Sequence, residues 1–259
     1  MSKPNRVVHF HPKHQSWSVE ILGLVDDFNI KGENVIQGDR NAIKRFDLNG
    51  KSINIKSFKA PKAINAFIYK FIRKSKAKRS FEYAEKLLSL DILTPFPLAY
   101  IEEFTILGLK KSYYISVHID FDFDFRALIH NPKFPDRENI LTQFTKFTFK
   151  LHENRVNFLD HSPGNTLIVK KANNTYDFYL IDLNRMRFEA MAFNKRMHNF
   201  RRLWLSKAML KIIAEAYAKL SNKTYQETHD VMLRHSRRFQ IKIDSKKLRR
   251  AGRKPKFKN

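Results

Sequence analysis

The sequence predicts an α+β fold in two lobes, in which an antiparallel sheet with one main helix is followed by a mainly helical lobe. The chain has 259 residues, of which 42% are hydrophobic and 23 are Phe, and this is enough to form a packed core. Its first half contains short alternating runs separated by turn residues, which is typical of antiparallel strands. Beyond Asp120 the apolar residues recur at helical spacing instead.

The N-terminal lobe is predicted to span residues 1–119. Asn49-Gly50 separates two alternating runs, and this dipeptide favours a tight antiparallel hairpin. Ser80–Leu90 is predicted as the main helix of the lobe, because Phe81, Ala84 and Leu87 fall on one face. The predicted strands are 34–36, 42–48, 52–58, 96–104 and 112–119.

The C-terminal lobe is predicted to span residues 120–238. Its clearest helix is Glu138–His152, which carries Ile140, Phe144 and Leu151 on a common stripe. The other predicted elements are helices at 125–130, 193–220 and 225–238 and strands at 166–170 and 176–182. The last segment, 239–259, is rich in Lys and Arg, and we expect it to be a mobile basic tail.

The charge of the chain restricts its partners. Fifty Lys and Arg against 25 Asp and Glu give a net charge of +25, which attracts polyanions such as nucleic acid, anionic lipid or phosphorylated sugars. There is no cysteine, which excludes disulfides and thiolate metal sites and fits a reducing compartment. We expect neither a secretory signal nor a transmembrane helix, since the N-terminus lacks an apolar core and the apolar runs are interrupted by Lys and Arg.

Polar side chains at strand ends indicate phosphoryl-transfer chemistry. Asp160 ends one apolar run, Asn165 follows five positions later, and Asp182 ends the run Tyr179–Ile181. Side chains at strand ends point into the cleft between lobes, so we expect the two aspartates to converge there. Phosphoryl transfer requires a metal ion on the phosphates and a carboxylate that orients the attacking hydroxyl. Carboxylate and amide oxygens are the ligands that Mg2+ prefers.

The D-x-x-x-x-N spacing of Asp160 and Asn165, followed by a strand that ends at Asp182, resembles the catalytic loop and metal-binding Asp of the protein-kinase-like superfamily. More narrowly, GDRNAIKRF, INIKSF, RKSKAKRSFEYAEKLL with TPFPLAYIE, LHENRVNFLDHSPGN and YLIDLNRMRF resemble the lipopolysaccharide core-sugar kinases, the Kdo/heptose kinase family. The similarity covers about residues 30–190 in motif order. Two departures are evident, since Phe158-Leu159 replaces His-Arg before the Asp and Asp182-Leu183-Asn184 replaces Asp-Phe-Gly.

The resemblance implies a two-lobed protein-kinase-like fold and a bacterial enzyme that phosphorylates an inner-core sugar hydroxyl with ATP and Mg2+. Asp160 would be the catalytic base that accepts or orients the proton of the sugar hydroxyl. Asn165 and Asp182 would bind Mg2+.

The N-terminal lobe would supply the nucleotide-binding residues. Lys56 would contact the phosphates of ATP, whereas its competitor Lys59 falls on the opposite face of a regular strand. The family pairs this lysine with a helix glutamate, for which Glu82 is the first choice and Glu85 the second. Gly38 would let the backbone approach the nucleotide.

The acceptor implied by the resemblance is a lipid-linked core oligosaccharide. We therefore expect a cytoplasmic protein that binds peripherally to the anionic face of the inner membrane through its basic segments, 70–79 and 234–259. A protein kinase or small-molecule kinase of the same fold is the first alternative. The second is a basic nucleic-acid-binding protein, whose binding would depend steeply on salt and ignore ATP. The ordered Asp–Asn–Asp set favours the kinase, and no specific nucleic acid partner is expected.

Overall fold

The structure, a computed structural model, describes residues 5–37, 41–59, 74–106 and 108–252. The chain divides into two compact units. The first comprises residues 1–120 together with 179–184, and the second comprises residues 121–178 together with 185–259. The short segment 179–184, which the sequence alone places with the C-terminal lobe, thus belongs to the unit that contains the N-terminal sheet.

The sheet of the first unit is antiparallel throughout, in the order β1-β5-β6-β4-β3-β2. Its strands, as far as the described residues show, are β1 (Asn5–Phe10), β2 (Glu33–Gln37), β3 (Asn41–Leu48), β4 (Lys51–Phe58), β5 (Pro97–Thr105) and β6 (Gly108–Val117). The five predicted strands are all present, and β1 adds an edge strand that pairs with β5. The central position of β4, between β3 and β6, places the predicted nucleotide-binding lysine in the interior of the sheet.

The predicted hairpin between β3 and β4 is confirmed. The register runs from Asn41 opposite Phe58 to Leu48 opposite Lys51, so that Asn49 and Gly50 alone form the loop. Both loop residues have positive φ, 53° and 75°, as a type I′ turn requires. Because this local turn sets the register, it also decides which face of β4 each side chain occupies.

Two α-helices accompany the sheet in the described part of the first unit, α1 (Ser18–Asp26) and α2 (Lys76–Leu88). The sequence predicts α2 but not α1. Helix α2 begins one turn earlier than predicted because the hydroxyl of Ser75 accepts a hydrogen bond from the backbone N–H of Lys78 at 3.0 Å and caps the helix. As predicted, Phe81, Ala84 and Leu87 are buried.

The core of the first unit lies between α1 and the sheet. It includes residues of α1 and of the central strands with little or no solvent exposure, among them Ile21, Val25, Ile53, Ile55, Leu98, Ile101 and Ile115. Alternation along β4 buries Ile53 and Ile55 on one face, as the sequence predicts.

Most of the helices in the described part of the chain belong to the second unit. Its elements, with the shared strand β10, are β7 (Phe123–Asp124), α3 (Arg126–His130), α4 (Arg137–Glu153), β8 (Val156–Phe158), β9 (Thr166–Lys170), β10 (Tyr176–Leu180), β11 (Met186–Phe188), α5 (Phe193–Asn199), α6 (Lys207–Ser221) and α7 (Tyr225–Gly252). In the core of the second unit, the apolar stripe of α4 packs with buried residues of α5, α6 and α7. Ile140, Leu141, Phe144 and Leu151 of α4 are fully buried, in agreement with the predicted stripe.

The prediction of one continuous helix over 193–220 is wrong. Helix α5 ends at Asn199, a 3-10 turn follows at Phe200–Arg202, and α6 begins only at Lys207. Trp204 has a φ of 54°, which interrupts a right-handed helix. The hydroxyl of Ser206 then accepts a hydrogen bond from the N–H of Met209 at 3.3 Å and caps the next helix.

The prediction that the last helix ends at Arg238 is also wrong, whereas the expected mobility of 239–259 stays a prediction. Helix α7, predicted to end at Arg238, continues without interruption to Gly252. The physical reason is that no Gly or Pro precedes Gly252 within the helix, and five of the 14 residues from 239 to 252 are Lys or Arg, which are good helix formers.

Candidate active site

Lys56 lies on β4 with its ammonium turned toward the segment 179–184 of the same unit. Its Nζ is 2.8 Å from Oδ1 of Asp182, and the side chains are 14% and 31% exposed. Lys59 is exposed and lies just after β4 ends. The structure therefore brings together two of the residues assigned from the sequence, the phosphate-binding lysine and one metal-binding aspartate.

The segment that carries Asp182 is held to the first unit by hydrogen bonds of its backbone. The N–H of Leu180 donates to the carbonyl of Leu93 at 3.0 Å. The hydroxyl of Thr94 donates to the carbonyl of Leu180 at 2.8 Å. Leu93 and Thr94, which lie between α2 and β5, thus hold the end of β10 in place. Asp182 follows this strand end by two residues.

The backbone of Asp182 is left-handed, with a φ of 57°. Aspartate is among the few residues other than glycine that adopt this conformation at modest cost. The amide of Asn184 donates to Oδ1 of Asp182 at 2.6 Å, so one carboxylate oxygen receives both this bond and that of Lys56. Sequence reasoning missed Asn184 as a site residue, although an amide two residues after the aspartate was a signal for it.

The predicted pairing of Lys56 with a helix glutamate is not formed in the described part of the chain. Glu82 instead binds the ammonium of Lys74 through both carboxylate oxygens, at 2.9 and 2.8 Å. Glu85 lies 3.9 Å from Nε2 of His11. Lys74 precedes α2 and reaches the exposed side of Glu82, while the carboxylate of Asp182 occupies the position next to Lys56. Gly38 lies outside the described residues.

Asp160 lies in the loop that follows β8, in the second unit, and it is paired with two arginines. Nη2 of Arg202 is 2.7 Å from its Oδ1, and Nη1 of Arg185 is 3.4 Å from its Oδ2. The carboxylate side chain is 16% exposed. Neither arginine was predicted as a site residue, because both are far from Asp160 in the sequence and no local spacing connects them to it.

Asn165 is held by the same loop. Its amide nitrogen donates to the backbone carbonyl of Asp160 at 2.8 Å, and the N–H of Ser162 donates to that carbonyl at 2.7 Å. The side chain of Asn165 is thus held against the backbone of Asp160, and the N–H of Asn165 donates to the carbonyl of Ser162 at 3.0 Å to close the 3-10 turn at Pro163–Asn165. Because the amide nitrogen is used, a metal ion would bind Asn165 through its amide oxygen.

A buried polar network centred on Asn199 supports the loop of Asp160. The amide nitrogen of Asn199 donates to the carbonyl of Phe158 at 2.8 Å. This bond orients the amide, so that its oxygen accepts from Nδ1 of His161 at 2.8 Å. Asn199 therefore binds the chain on both sides of Asp160, and sequence reasoning missed this role.

Asn199 contacts a second buried histidine, His152, whose Nε2 lies 3.4 Å from its Oδ1, and both histidines are neutral at physiological pH. Burial lowers the pKa of His161 to about 4, against a smaller opposing effect of the hydrogen bond to Asn199. Burial lowers the pKa of His152 to about 3, with a further contribution from His161. Nδ1 of His152 lies 2.8 Å from the hydroxyl of Tyr217, and Nε2 of His161 is buried without a hydrogen-bond partner. The network is thus built around uncharged imidazoles.

The two predicted metal ligands, Asp182 and Asn165, each offer the oxygen atoms that Mg2+ prefers. Within the described ranges, no group of three or more His, Asp or Glu side chains could hold a metal ion. Mg2+ usually keeps several waters and binds one or two carboxylates together with phosphate oxygens of the substrate. Asp182, in the first unit, and the amide oxygen of Asn165, in the second, are each ligands of this type, and their roles as metal ligands stay predictions.

No family model matches the chain, and no curated protein sequence matches it. Among solved structures the chain is similar to WaaP, which was solved in complex with acyl carrier protein. The two are 13% identical with a TM-score of 0.61, and the match covers 92% of this chain and 98% of that chain. Similarity at this level of identity establishes the fold. The predicted α+β, kinase-like fold is confirmed: this chain has an antiparallel N-terminal sheet, a helical C-terminal region and the fold of WaaP.

Proposed function

We propose that the protein is an ATP-dependent kinase that phosphorylates a hydroxyl of a lipopolysaccharide inner-core sugar. The ion pair between Lys56 and Asp182 at 2.8 Å is the observation that carries the proposal. It joins an ammonium on a central strand to a carboxylate at a strand end, in the order and fold in which kinases bind a metal–nucleotide complex. The similarity of fold to WaaP supports a kinase, and the motif resemblance supports the sugar acceptor.

Each residue of the candidate site would have a distinct task. Lys56 would hold the phosphates of ATP by its ammonium, and Asp182 would bind the metal with the oxygen of Asn165. Mg2+ supplies charge neutralisation at the transferred phosphoryl group when it is bound. Asp160 would orient the acceptor hydroxyl and take its proton as the new P–O bond forms. Asn184 would keep the Asp182 carboxylate in one orientation through its 2.6 Å hydrogen bond.

The proposal is tested by phosphoryl transfer from ATP to purified core oligosaccharide, with the product identified by mass spectrometry. Asp160→Asn and Asp182→Asn are expected to lower the transfer rate by at least about a thousandfold, because each removes a group that acts on the reacting atoms. Asp177→Asn, which changes a surface aspartate paired with Lys171, is the matched control. Substantial transfer by both site variants would contradict the assignment.

Nucleotide binding provides a second measurement, independent of the acceptor. Lys56→Met is expected to weaken ATP binding by roughly tenfold or more, since a charge-assisted hydrogen bond to phosphate is lost. Lys59→Met changes an exposed lysine near the end of the same strand and should leave ATP binding unchanged. If Lys59→Met weakens ATP binding and Lys56→Met does not, the strand face assigned to the nucleotide is wrong.

The acceptor would be lipid-linked, and we propose that the protein acts in the cytoplasm at the anionic surface of the inner membrane. No helix in the described part of the chain is long and apolar enough to span a membrane. Residues 234–252 of α7 include eight Lys or Arg and one Asp. Ile241 and Leu248 are 66% and 73% exposed and lie seven positions apart, on one face of the helix. A basic helix with exposed apolar side chains is suited to an anionic lipid surface.

Vesicle co-sedimentation tests this surface. The wild type should bind anionic vesicles and not neutral ones, and the double variant Ile241→Ser/Leu248→Ser should bind several-fold more weakly because apolar area is withdrawn from the interface. Leu220→Ser, a substitution of an exposed leucine on α6, is the control. Equal binding by wild type and double variant would remove α7 from the membrane interface.

A further inference from the structure

We infer that Arg185 and Arg202 form an anion-binding site that holds an acidic group of the acceptor next to Asp160. This inference rests on the proposed kinase function and adds to it a requirement for a negatively charged acceptor. All three residues belong to the second unit, and both arginines bind the carboxylate of Asp160, at 3.4 and 2.7 Å.

The charge of this group is unbalanced. Two guanidinium groups face one carboxylate, so the cluster of Arg185, Arg202 and Asp160 carries a net charge of +1. His161, which follows Asp160, is buried, and burial lowers its pKa to about 4, so it adds no charge at neutral pH. An anionic ligand would neutralise the surplus charge, whereas a neutral one would leave it in place.

Arg202 is held in position by its surroundings. Its guanidinium lies over the ring of Phe239 of α7, with 5.7 Å between the guanidinium carbon and the ring centroid. Its Nε is buried without a hydrogen-bond partner, while its side chain as a whole is 32% exposed. Arg202 is therefore held by these contacts, while the exposed part of its guanidinium group remains open to a ligand.

Arg185 has a more open environment. Its side chain is 60% exposed, and its contact with Asp160 is the longer of the two. The peptide that carries it is fixed, because its backbone carbonyl accepts a hydrogen bond from the N–H of Leu159 at 3.0 Å. A guanidinium on a fixed backbone with a weak, exposed ion pair can exchange the Asp160 oxygen for a ligand oxygen at little cost.

That exchange connects the anion site to the reaction. In the structure each oxygen of Asp160 is bound by one arginine. A base must lie about 2.6–3.2 Å from the hydroxyl that it deprotonates. An acidic group that takes over the hydrogen bonds of Arg185 would free Oδ2 of Asp160 to accept the hydroxyl. Binding of the acid would thus prepare the base.

The acceptor is favoured over the γ-phosphate of ATP as the source of the anion. Arg202 lies 2.7 Å from the carboxylate that would touch the acceptor hydroxyl, so a group on these arginines belongs with the molecule that carries the hydroxyl. The phosphates of ATP already have a cation in Lys56 in the proposed function. The two sources predict different results when acceptor and nucleotide are measured separately.

The test compares a sugar acid with its neutral ester, using Kdo and its methyl ester as probes. Binding is measured by calorimetry on the whole chain, without catalysis. The wild type should bind the acid at least about tenfold more tightly than the ester, as expected for a charge-assisted hydrogen bond. Arg185→Gln and Arg202→Gln should reduce this ratio to near one. Arg187→Gln, a substitution of an exposed arginine two positions from Arg185, should retain it.

Every outcome decides the question. A wild type that binds acid and ester equally, or Gln variants that keep the preference, overturns the inference. If the Gln variants lose affinity for ATP but keep the preference for the acid, the two arginines bind the nucleotide, and this result also overturns the inference. Arg202→Lys, which keeps the charge, should retain part of the preference even if the Gln variant is poorly folded. Failure of the kinase proposal is seen separately, as absence of phosphorylated sugar in the transfer assay with the wild type.

Discussion

The buried imidazole of His161 makes a specific prediction about pH. In the folded protein its pKa is lowered from 6.5 to about 4 by burial, so the unfolded chain binds a proton that the folded chain rejects. The stabilising contribution is therefore fully present above pH 6.5 and is lost as the pH falls toward about 4. Integration between pH 7 and pH 5 gives a loss of about 2 kcal/mol in the free energy of unfolding from this one residue.

The perturbation that isolates this effect is His161→Phe. The ring lies among Phe144, Phe158 and Phe200, with centroid distances of 5.5, 5.8 and 6.2 Å, so a phenyl ring fits the surroundings. The variant loses the hydrogen bond to Asn199 and is expected to be less stable at pH 7. Its further loss of stability on going to pH 5 should be smaller than that of the wild type by about 2 kcal/mol.

The assay is urea unfolding followed by far-ultraviolet circular dichroism at pH 7 and pH 5 and at constant ionic strength. The difference between the two pH values is compared for wild type, His161→Phe and His130→Gln, where His130 is an exposed histidine at the end of α3. The control should behave as the wild type. If His161→Phe loses as much stability as the wild type between pH 7 and pH 5, the imidazole is not held neutral by burial and the reasoning is refuted.

The remaining predictions concern stability. Asn199→Ala leaves the carbonyl of Phe158 and Nδ1 of His161 unpaired in a buried site, so it should cost about 2–5 kcal/mol in urea unfolding. Asn194→Ala on α5 removes only an exposed hydrogen bond with Nε2 of His235 and should cost about 1 kcal/mol or less. Gly50→Ala, at a φ of 75°, should lower the unfolding free energy by about 1 kcal/mol, and Gly23→Ala, in open space on α1, should raise it. Ser75→Ala should lower the melting temperature through loss of the α2 cap, which contributes about 1 kcal/mol; an unchanged melting temperature would contradict that role.

Several features of the fold could be predicted because they depend on neighbouring residues. Asn49-Gly50 forms the predicted two-residue hairpin loop, and both residues have the positive φ that the turn needs. The stripe of α4 is buried as its spacing indicates. The continuous helix over 193–220 was wrongly predicted, since apolar spacing does not reveal that Trp204 leaves the helical conformation. The extension of α7 was missed because a run of charges was taken as a sign of mobility, although Lys and Arg favour helix.

The candidate site was predictable only in part. Alternation along β4 separates Lys56 from Lys59, and the structure turns Lys56 toward Asp182. The acidic residue that pairs with Lys56 could not be predicted from such a local pattern, because Glu82 and Asp182 are both distant from Lys56 in sequence. Which of them lies beside the ammonium depends on how α2 and the end of β10 pack against the sheet.

The sequence by itself determined the five predicted strands of the N-terminal sheet and its main helix α2, the hairpin register, the positions of Asp160, Asn165 and Asp182 near strand ends, and the basic character of the chain. These features follow from interactions within a few residues, which a sequence displays directly. Only the tertiary structure decided that Arg185 and Arg202 bind Asp160 and that Asn199 holds the loop around it. Hydrogen bonds and ion pairs act over only a few ångströms, so they depend on which distant segments the packed core brings into contact.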